Sequence, residues 1–247
     1  AAIQVTTGPT SGFGCSGSLI DSAHVLTAAH CVYNLAARTT YPLTAFSVVV
    51  GQVNRNATCP GCRKRVTGIT YDTRWEPADT FRPYDVAVLT LDSPVPSSIA
   101  RPIALIGADQ RDLDAVGRTV TAAGWGITAT GGSISQILMQ APLTILDNAT
   151  TCRADSATAF CTSVTDGRDT CGGDSGGPLF VNSGGDVLVG IVSAGPAGCP
   201  SQGSSYGALN VRLSNPSINA FVRANAPGAG PLPPPGPPDP DPPTVSI

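Results

Sequence analysis

Short apolar runs, each bounded by turn residues, dominate the hydrophobic pattern of this chain. The runs are rich in Val, Ile, Leu and Thr, and Gly, Pro, Asn or Asp separates one run from the next. This spacing favours an antiparallel sandwich or barrel. Helical periods of ten or more residues, which would alternate with the strands of a parallel sheet, do not occur between the runs. The predicted strands are Gly17–Ile20, Phe46–Val50, Val86–Leu91, Thr119–Ala123, Gln136–Leu146, Pro178–Val181 and Val187–Val192.

One helix is predicted near the C-terminal end. The stretch Ser214–Val222 begins with residues that can cap a helix, Pro216 suits the first turn, and apolar residues recur at i, i+3 and i+4 from Ile218. After Asn225 the composition changes to a dense proline run, which is typical of an extended, semi-rigid linker. We therefore expect residues 226–247 to form a linker that leads to a further domain.

Composition and charge narrow the function classes. The 247 residues suffice for one large all-β domain or two small ones, and charged residues make up only 13% at a net charge of −3. Nucleic acids and anionic membranes call for a basic surface, so we expect neither as a partner. The one basic cluster, Arg63–Arg65, is predicted to lie in a solvated loop. No apolar stretch is long enough to span a membrane, and we expect a secretory leader to lie outside the chain.

The eight cysteines fit two kinds of site, zinc centres or disulfides. The chain has only two histidines and a single C-x-x-C, from Cys59 to Cys62, so paired zinc knuckles are missing. A redox role for this C-x-x-C would need a βαβ context that the pattern lacks. Four disulfides in an oxidising compartment are the better interpretation.

Three segments carry candidate chemistry. His30 ends the apolar run that begins at Val25, Asp85 opens another, and Ser175 lies in the glycine-rich turn Gly172–Pro178. Hydrolysis of an amide needs a nucleophile, a base within hydrogen-bond reach, a group that orients the base and donors for the oxyanion. Each segment alone is a weak signal, but their joint occurrence in the order His, Asp, Ser points to a serine hydrolase.

These segments resemble the motifs of the trypsin-like serine peptidase family almost letter for letter, and the resemblance covers about residues 3–225. It implies two antiparallel six-stranded β-barrels packed face to face, with the active site in the cleft. The first barrel would span about residues 1–105 and the second about 118–213. A C-terminal helix would follow at 214–225. Together they would form a peptidase domain, 1–225, ahead of the linker.

The resemblance also implies roles for individual residues. Ser175 would be the nucleophile, His30 the general base and then acid, and Asp85 the orienting carboxylate; the N–H groups of Gly173 and Ser175 would form the oxyanion hole. The implied disulfides are Cys15–Cys31, Cys152–Cys161 and Cys171–Cys199, which leaves Cys59–Cys62 as a local pair. The implied substrate-binding residues are Asp169, Thr170, Ser193, Ala194, Gly195 and Gly198, with Ser193 also supporting Asp85.

Primary specificity depends on Asp169, six residues before the candidate nucleophile. A carboxylate at the base of a pocket needs a cationic partner, which predicts cleavage after Arg or Lys. Ala194 stands where the family usually has a tryptophan, so the second subsite should be more open. An alignment through Arg212 puts Ala208 where a glycine lines the pocket, which would crowd an arginine, and a gap moved by one residue restores Gly207.

Asp174 raises a question about activation. In the family, a new N-terminus folds inward and its ammonium group pairs with the acid at this position. The chain begins too close to Cys15 for such an end, so we expect it either to lack the activating residues or to hold Asp174 differently. An unpaired buried carboxylate is costly, and we expect lower activity than in the native protein.

No cofactor or metal is expected; Gly51–Tyr71 has no Asp or Glu to ligate calcium. The expected partners are protein or peptide substrates and protein inhibitors, and the expected protein is a secreted monomer. Two alternatives stay open. One is an enzyme of the same fold with chymotrypsin-like or relaxed specificity. The other is a catalytically silent binding module, although such relatives usually lose the serine or the histidine.

Overall fold

The structure is a computed structural model that describes residues 1–8, 12–79, 83–164, 167–195, 198–199 and 206–231, without the side chain of Phe13. Within these residues the chain is all-β with a single α-helix, which confirms the predicted fold class. None of the helices in this part of the chain has the length and apolar character needed to cross a membrane.

The first half of the chain forms a nearly closed barrel. Its strands are β1 (Ala2–Thr6), β2 (Gly12–Ser16), β3 (Ser18–Leu19), β4 (His24–Thr27), β7 (Phe46–Val49), β8 (Arg63–Tyr71) and β9 (Ala87–Leu91), and the hairpin β5 (Tyr33–Asn34) and β6 (Thr39–Thr40) lies apart from them. The strand order is β2-β1-β7-β8-β9-β4-β3. The two edge strands, β2 and β3, follow one another across Gly17, so they act as one bent strand that brings the edges together. Val5, Val25, Val48 and Leu89 fill the interior.

The second half forms a closed six-stranded barrel. The strands of this half are β10 (Ala104–Leu105), β11 (Thr119–Gly124), β12 (Met139–Leu146), β13 (Ala159–Thr162), β14 (Pro178–Asn182), β15 (Asp186–Ala194) and β16 (Leu209–Arg212), and all but β10 form the closed barrel. The order β15-β14-β11-β12-β13-β16 closes because β16 also pairs with β15, while β10 adds to β15 in parallel. The interior contains large apolar side chains such as Leu143, Phe160, Leu179 and Ile191, all essentially inaccessible to solvent.

Helix α1 (Pro216–Asn225) closes the second barrel. The Asn215 side chain accepts hydrogen bonds from the N–H groups of Ser217 and Ile218, which caps the helix as the sequence predicts. The packed chain extends past the predicted boundary at Asn225. Ala226 and Ala229 are buried in the barrel's apolar cluster, and the N–H of Leu105 donates to the carbonyl of Gly230 at 3.1 Å. The linker predicted at 226–247 therefore cannot begin before about residue 231, and residues 232–247 lie outside the described part.

The basic cluster at Arg63–Arg65 is part of strand β8 and not a loop, so that prediction was wrong. Lys64 is only 6% exposed, and its Nζ donates to Ser93 Oγ at 3.0 Å and to the carbonyl of Pro94 at 3.2 Å. Arg63 and Arg65 face solvent on the other side of the strand. The alternation of a strand thus accommodates three consecutive cations, because only the middle one is buried and its ammonium group is hydrogen-bonded.

All eight cysteines are paired in disulfides. The pairs are Cys15–Cys31, Cys59–Cys62, Cys152–Cys161 and Cys171–Cys199. They match the pairs that the family resemblance implies, and they leave no thiol free. The first joins the end of β2 to the segment after β4, and the last joins the turn before Ser175 to the segment after β15.

Candidate active site

His30 and Asp85 meet at one end of the first barrel. Strands β4 and β9 pair antiparallel with Thr27 opposite Ala87, so the residues just after β4 and just before β9 leave the sheet side by side. His30 lies in a short 3-10 turn, Ala29–Cys31. Its backbone N–H donates to Asp85 Oδ1 at 2.8 Å, and its Nδ1 lies 2.7 Å from Asp85 Oδ2.

The Asp85 carboxylate is fully buried and fully hydrogen-bonded. A third donor reaches it from the second barrel, because Ser193 Oγ lies 2.5 Å from Oδ2. Burial alone would raise the pKa of Asp85, but the charge of His30 and the hydrogen bonds from His30 and Ser193 hold that pKa below its ordinary value. An ionised carboxylate accepts only, so Nδ1 carries a proton and Nε2 is the ring nitrogen that faces away from Asp85.

Ser175 and His30 share a neighbour in the Cys31 sulfur. Cys31 Sγ is 3.8 Å from His30 Nε2 and 3.6 Å from the Ser175 carbonyl oxygen, so one sulfur atom touches both residues. The Ser175 carbonyl also accepts a hydrogen bond from the Ser16 N–H at 2.8 Å. Among the described residues, the Ser175 hydroxyl makes no hydrogen bond. Hydrogen bonds between catalytic side chains are commonly long until a substrate is bound.

The turn around Ser175 leaves backbone donors unused. Asp174 N–H donates to Cys171, Gly176 N–H to Val192 and Gly177 N–H to the carbonyl of Asp174. In contrast, the N–H groups of Gly173 and Ser175 have no acceptor in the described part of the chain. Gly173 has a φ of +100°, which only glycine adopts without strain. Two unpaired N–H donors on one turn can bind an anion.

Asp174 is held by backbone groups. Its Oδ1 accepts from the Gly126 N–H at 2.8 Å and its Oδ2 from the Cys171 N–H at 2.9 Å. Burial raises the pKa of Asp174, these two N–H groups oppose the shift, and the charge of Asp169 adds to it. Within the described residues no cation pairs with this carboxylate. The backbone contacts of Asp174 are compatible with both expectations stated for it.

A cavity of about 170 Å³ opens beside Asp174. Glycines at 124 and 126 let the carboxylate approach the turn after β11, since a Cβ at either position would overlap it. Its lining combines apolar residues, such as Ile127 and Met139, with Arg168 and Asp169.

Asp169 and Gly207 face each other where the sequence predicts the primary pocket. The Thr170 N–H donates to Asp169 Oδ1 at 2.7 Å, and a Cβ added at Gly207 would overlap that oxygen. This contact favours the alignment with Gly207, and not Ala208, at the glycine position. Gly195 adjoins the Gly207 carbonyl.

Ala194 packs on the Cys152–Cys161 disulfide and Leu209, and Gly198, at a φ of +104°, precedes Cys199. Residues 196–197 and 200–205, which continue these segments, lie outside the described part.

One cluster of potential metal ligands occurs in the described residues. Ligand atoms of Cys15, His30 and Cys31 lie within 4.8 Å of one another. The two sulfurs are joined in a disulfide, however, and cannot act as thiolates. This cluster is therefore a consequence of the disulfide beside His30 and not a metal centre.

Sequence reasoning missed two residues that shape the site. Ser16 is fully buried and donates from Oγ to the Gly173 carbonyl at 3.0 Å. Thr27 donates from Oγ1 to the Ser16 carbonyl at 2.9 Å, and both leave room only for glycine at position 176. Polar residues at the ends of apolar strands were the available signal, but nothing in the sequence indicates what they contact.

Comparisons with known proteins agree with this geometry. The family model described as Trypsin matches residues 1–216. The chain is 33% identical over 208 residues to the proclotting enzyme of Tachypleus tridentatus, 34% over 198 residues to serine protease SSP1 of Scolopendra subspinipes and 33% over 187 residues to human granzyme M. These alignments cover 78%, 77% and 72% of this chain, and 55%, 67% and 68% of the respective relatives. The match thus spans little more than half of the proclotting enzyme.

Proposed function

The chain belongs to the trypsin family of serine proteases, and from that premise we propose that it is an active endopeptidase that cleaves after Arg or Lys through an acyl-enzyme on Ser175. The observation that carries the proposal is the chain of contacts at the cleft. A buried carboxylate, Asp85, fixes the imidazole of His30, and the same disulfide sulfur touches both His30 and Ser175. A serine endopeptidase needs this arrangement and a structural serine does not.

In the proposed mechanism, His30 Nε2 takes the hydroxyl proton of Ser175 as Oγ attacks the substrate carbonyl carbon. The oxygen of that carbonyl becomes negative and is bound by the N–H groups of Gly173 and Ser175, which have no other acceptor among the described residues. The imidazolium is stabilised by Asp85. The C–N bond then breaks, and the leaving amine takes the proton from Nε2. A water molecule then attacks the acyl carbon while His30 takes its proton. The bond to Ser175 Oγ breaks, Oγ receives the proton from His30, and the acid product is released.

The proposed preference for Arg or Lys depends on Asp169. Its Oδ1 lies so close to Gly207 that a Cβ at that position would overlap it. A glycine at position 207 supports the proposal because a larger residue there would displace the carboxylate. Charge-assisted hydrogen bonds from a guanidinium or ammonium group would then select the substrate.

Domain limits, location and partners are part of the same proposal. We assign the peptidase domain to about residues 1–231 and a proline-rich linker to the remainder. Four disulfides support a secreted protein, because such pairs persist in oxidising compartments. We expect a monomer that acts on proteins or peptides and is open to protein inhibitors.

A positional-scanning peptide library tests activity and specificity together. The chain should cleave after Arg and Lys, and the Ser175→Ala variant should cleave nothing above background. Asp169→Ser should lose the preference for basic residues while it keeps the Ser175 nucleophile. Cleavage after large apolar residues by the unmodified chain would favour the chymotrypsin-like or relaxed alternative. An unmodified chain no faster than Ser175→Ala would contradict the proposed activity.

A further inference from the structure

Ser16 is a first-barrel residue that contacts the turn carrying the candidate nucleophile. It is the last residue of β2, it follows Cys15 of the disulfide beside His30, and it has no solvent exposure. A buried hydroxyl costs free energy unless it is hydrogen-bonded. The Ser16 hydroxyl finds its hydrogen-bond partner on the second barrel and not on the first barrel, to which Ser16 belongs.

Two hydrogen bonds run from Ser16 to this turn. Its Oγ donates to the Gly173 carbonyl at 3.0 Å, and its backbone N–H donates to the Ser175 carbonyl at 2.8 Å. The Trp125 N–H approaches the same Oγ at 3.5 Å, so the hydroxyl has a neighbour on its acceptor side as well. The two carbonyls that Ser16 holds belong to the two residues whose N–H groups are the candidate oxyanion donors.

The hydroxyl bond is one of three hydrogen bonds that hold the peptide groups on either side of Gly173. The Ile127 N–H donates to the Gly172 carbonyl at 2.9 Å, and the Asp174 N–H donates to the Cys171 carbonyl at 2.9 Å. A glycine at a φ of +100° meets little steric resistance to rotation, so the direction of its N–H depends on these bonds. Asp174, the residue after Gly173, is held by hydrogen bonds from the N–H groups of Gly126 and Cys171. Burial raises the pKa of its carboxyl group, which disfavours the ionised form that accepts these bonds. An uncharged anchor on Gly173 itself does not depend on that ionisation.

We propose that the Ser16 hydroxyl is a positioning group that holds Gly173 in the orientation in which its N–H can stabilise the transition state. This inference rests on the proposed function. The hydrogen bonds that the Ser16 side chain and N–H make among the described residues do not include His30 or Asp85, so the effect of the hydroxyl should be confined to stabilisation of the oxyanion. The alternative is that the hydroxyl only helps to pack the two barrels together.

The experiment compares Ser16→Ala with Ser18→Ala in the 247-residue chain. Ser18 is a matched control, since it lies two residues further on, is 5% exposed and has an Oγ with no hydrogen-bond partner in the described part of the chain. Both changes remove one buried hydroxyl and keep Cβ. The Ser16 N–H that binds Ser175 is present in both variants. Ser16→Gly serves as a second variant that lacks the hydroxyl.

The positioning role predicts a fall in kcat for Ser16→Ala and Ser16→Gly with little change in KM. We expect a loss of about 10- to 100-fold, below the roughly 10²–10³-fold cost of deleting an oxyanion donor outright. The affinity for a peptide boronic acid, which forms a tetrahedral adduct on the serine, should fall by a similar factor. Ser18→Ala should match the unmodified chain in both measurements.

Each outcome decides the matter. Ser16 variants with unchanged kcat and boronic acid affinity would overturn this inference and leave the proposed function intact, as would a loss that appears only in thermal stability. A loss equal to that of Ser18→Ala would also overturn it. An unmodified chain that neither turns over peptide nor binds the boronic acid would overturn the proposed function and this inference together.

Discussion

Removal of the Ser193 hydroxyl is the perturbation whose size follows most directly from the structure. Ser193 Oγ is one of three donors to the Asp85 carboxylate, which has no contact with solvent. A hydrogen bond to a charged group contributes about 1.5–3 kcal/mol. Ser193→Ala should therefore lower the free energy of unfolding by about 1.5–3 kcal/mol at neutral pH, where Asp85 is ionised.

The pH dependence of that loss has a definite sign. The folded pKa of Asp85 lies below its ordinary value, so its stabilisation is present above the unfolded pKa and is lost as pH falls through the folded pKa. Without the Ser193 hydrogen bond the folded pKa rises toward its ordinary value. The loss of stability in acid starts near the unfolded pKa in both chains, and in the variant it should be smaller and complete at a higher pH.

Urea unfolding from neutral pH to below about pH 4, the ordinary range of an aspartate, measures both effects. The difference between variant and unmodified chain should be largest at neutral pH and should shrink in acid. Ser18→Ala, which removes an unpartnered buried hydroxyl, should show no such pH dependence. A Ser193→Ala variant as stable as the unmodified chain, or a difference that is constant with pH, would refute the account of Asp85.

The remaining predictions concern Asp174 and its surroundings. Gly126→Ala should lower kcat/KM about 10-fold or more, because the new Cβ would lie 2.5–2.7 Å from the Asp174 carboxylate and displace the turn before Ser175. The control Gly230→Ala, which has nothing closer than 4.0 Å, should keep full activity, and equal kinetics of the two variants would contradict the reasoning. The raised pKa of Asp174 predicts that stability is lost as pH rises from the unfolded to the folded pKa, so the contribution of Asp174 to the free energy of unfolding should increase as pH falls toward about 4, the ordinary pKa of an aspartate. Urea titrations should show this slope in the unmodified chain and a smaller one in Asp174→Ala, and equal slopes would contradict it.

The fold was predictable where the apolar pattern is strong. The runs at Phe46–Val50 and Val86–Leu91 correspond to β7 and β9, which are central strands with buried faces. Strand β8 was missed because its first three residues are cations, and its pairing with β7 and β9 overrides that composition. Strand β1, Ala2–Thr6, is short, and one of its two neighbours, β7, lies far along the chain, which a local pattern cannot show.

The candidate site was predictable as a set of residue types and not as a set of contacts. The motifs around His30, Asp85 and Ser175 are local in sequence, so a resemblance can identify them. The partners of Asp174 and the role of Ser16 depend on how the two barrels meet, which only coordinates show. The packing of Ala226 and Ala229 was also hidden, because a proline-rich composition begins before the core ends.

The central claim is that His30 activates Ser175, and covalent labelling tests it most directly. A fluorophosphonate transfers its phosphonyl group to an activated serine hydroxyl and releases fluoride. The account predicts that peptide mapping of the 247-residue chain finds the label on Ser175 and on no other serine, and that His30→Ala slows the labelling by orders of magnitude. An unlabelled Ser175, or labelling that is equally fast without the imidazole, would contradict the account.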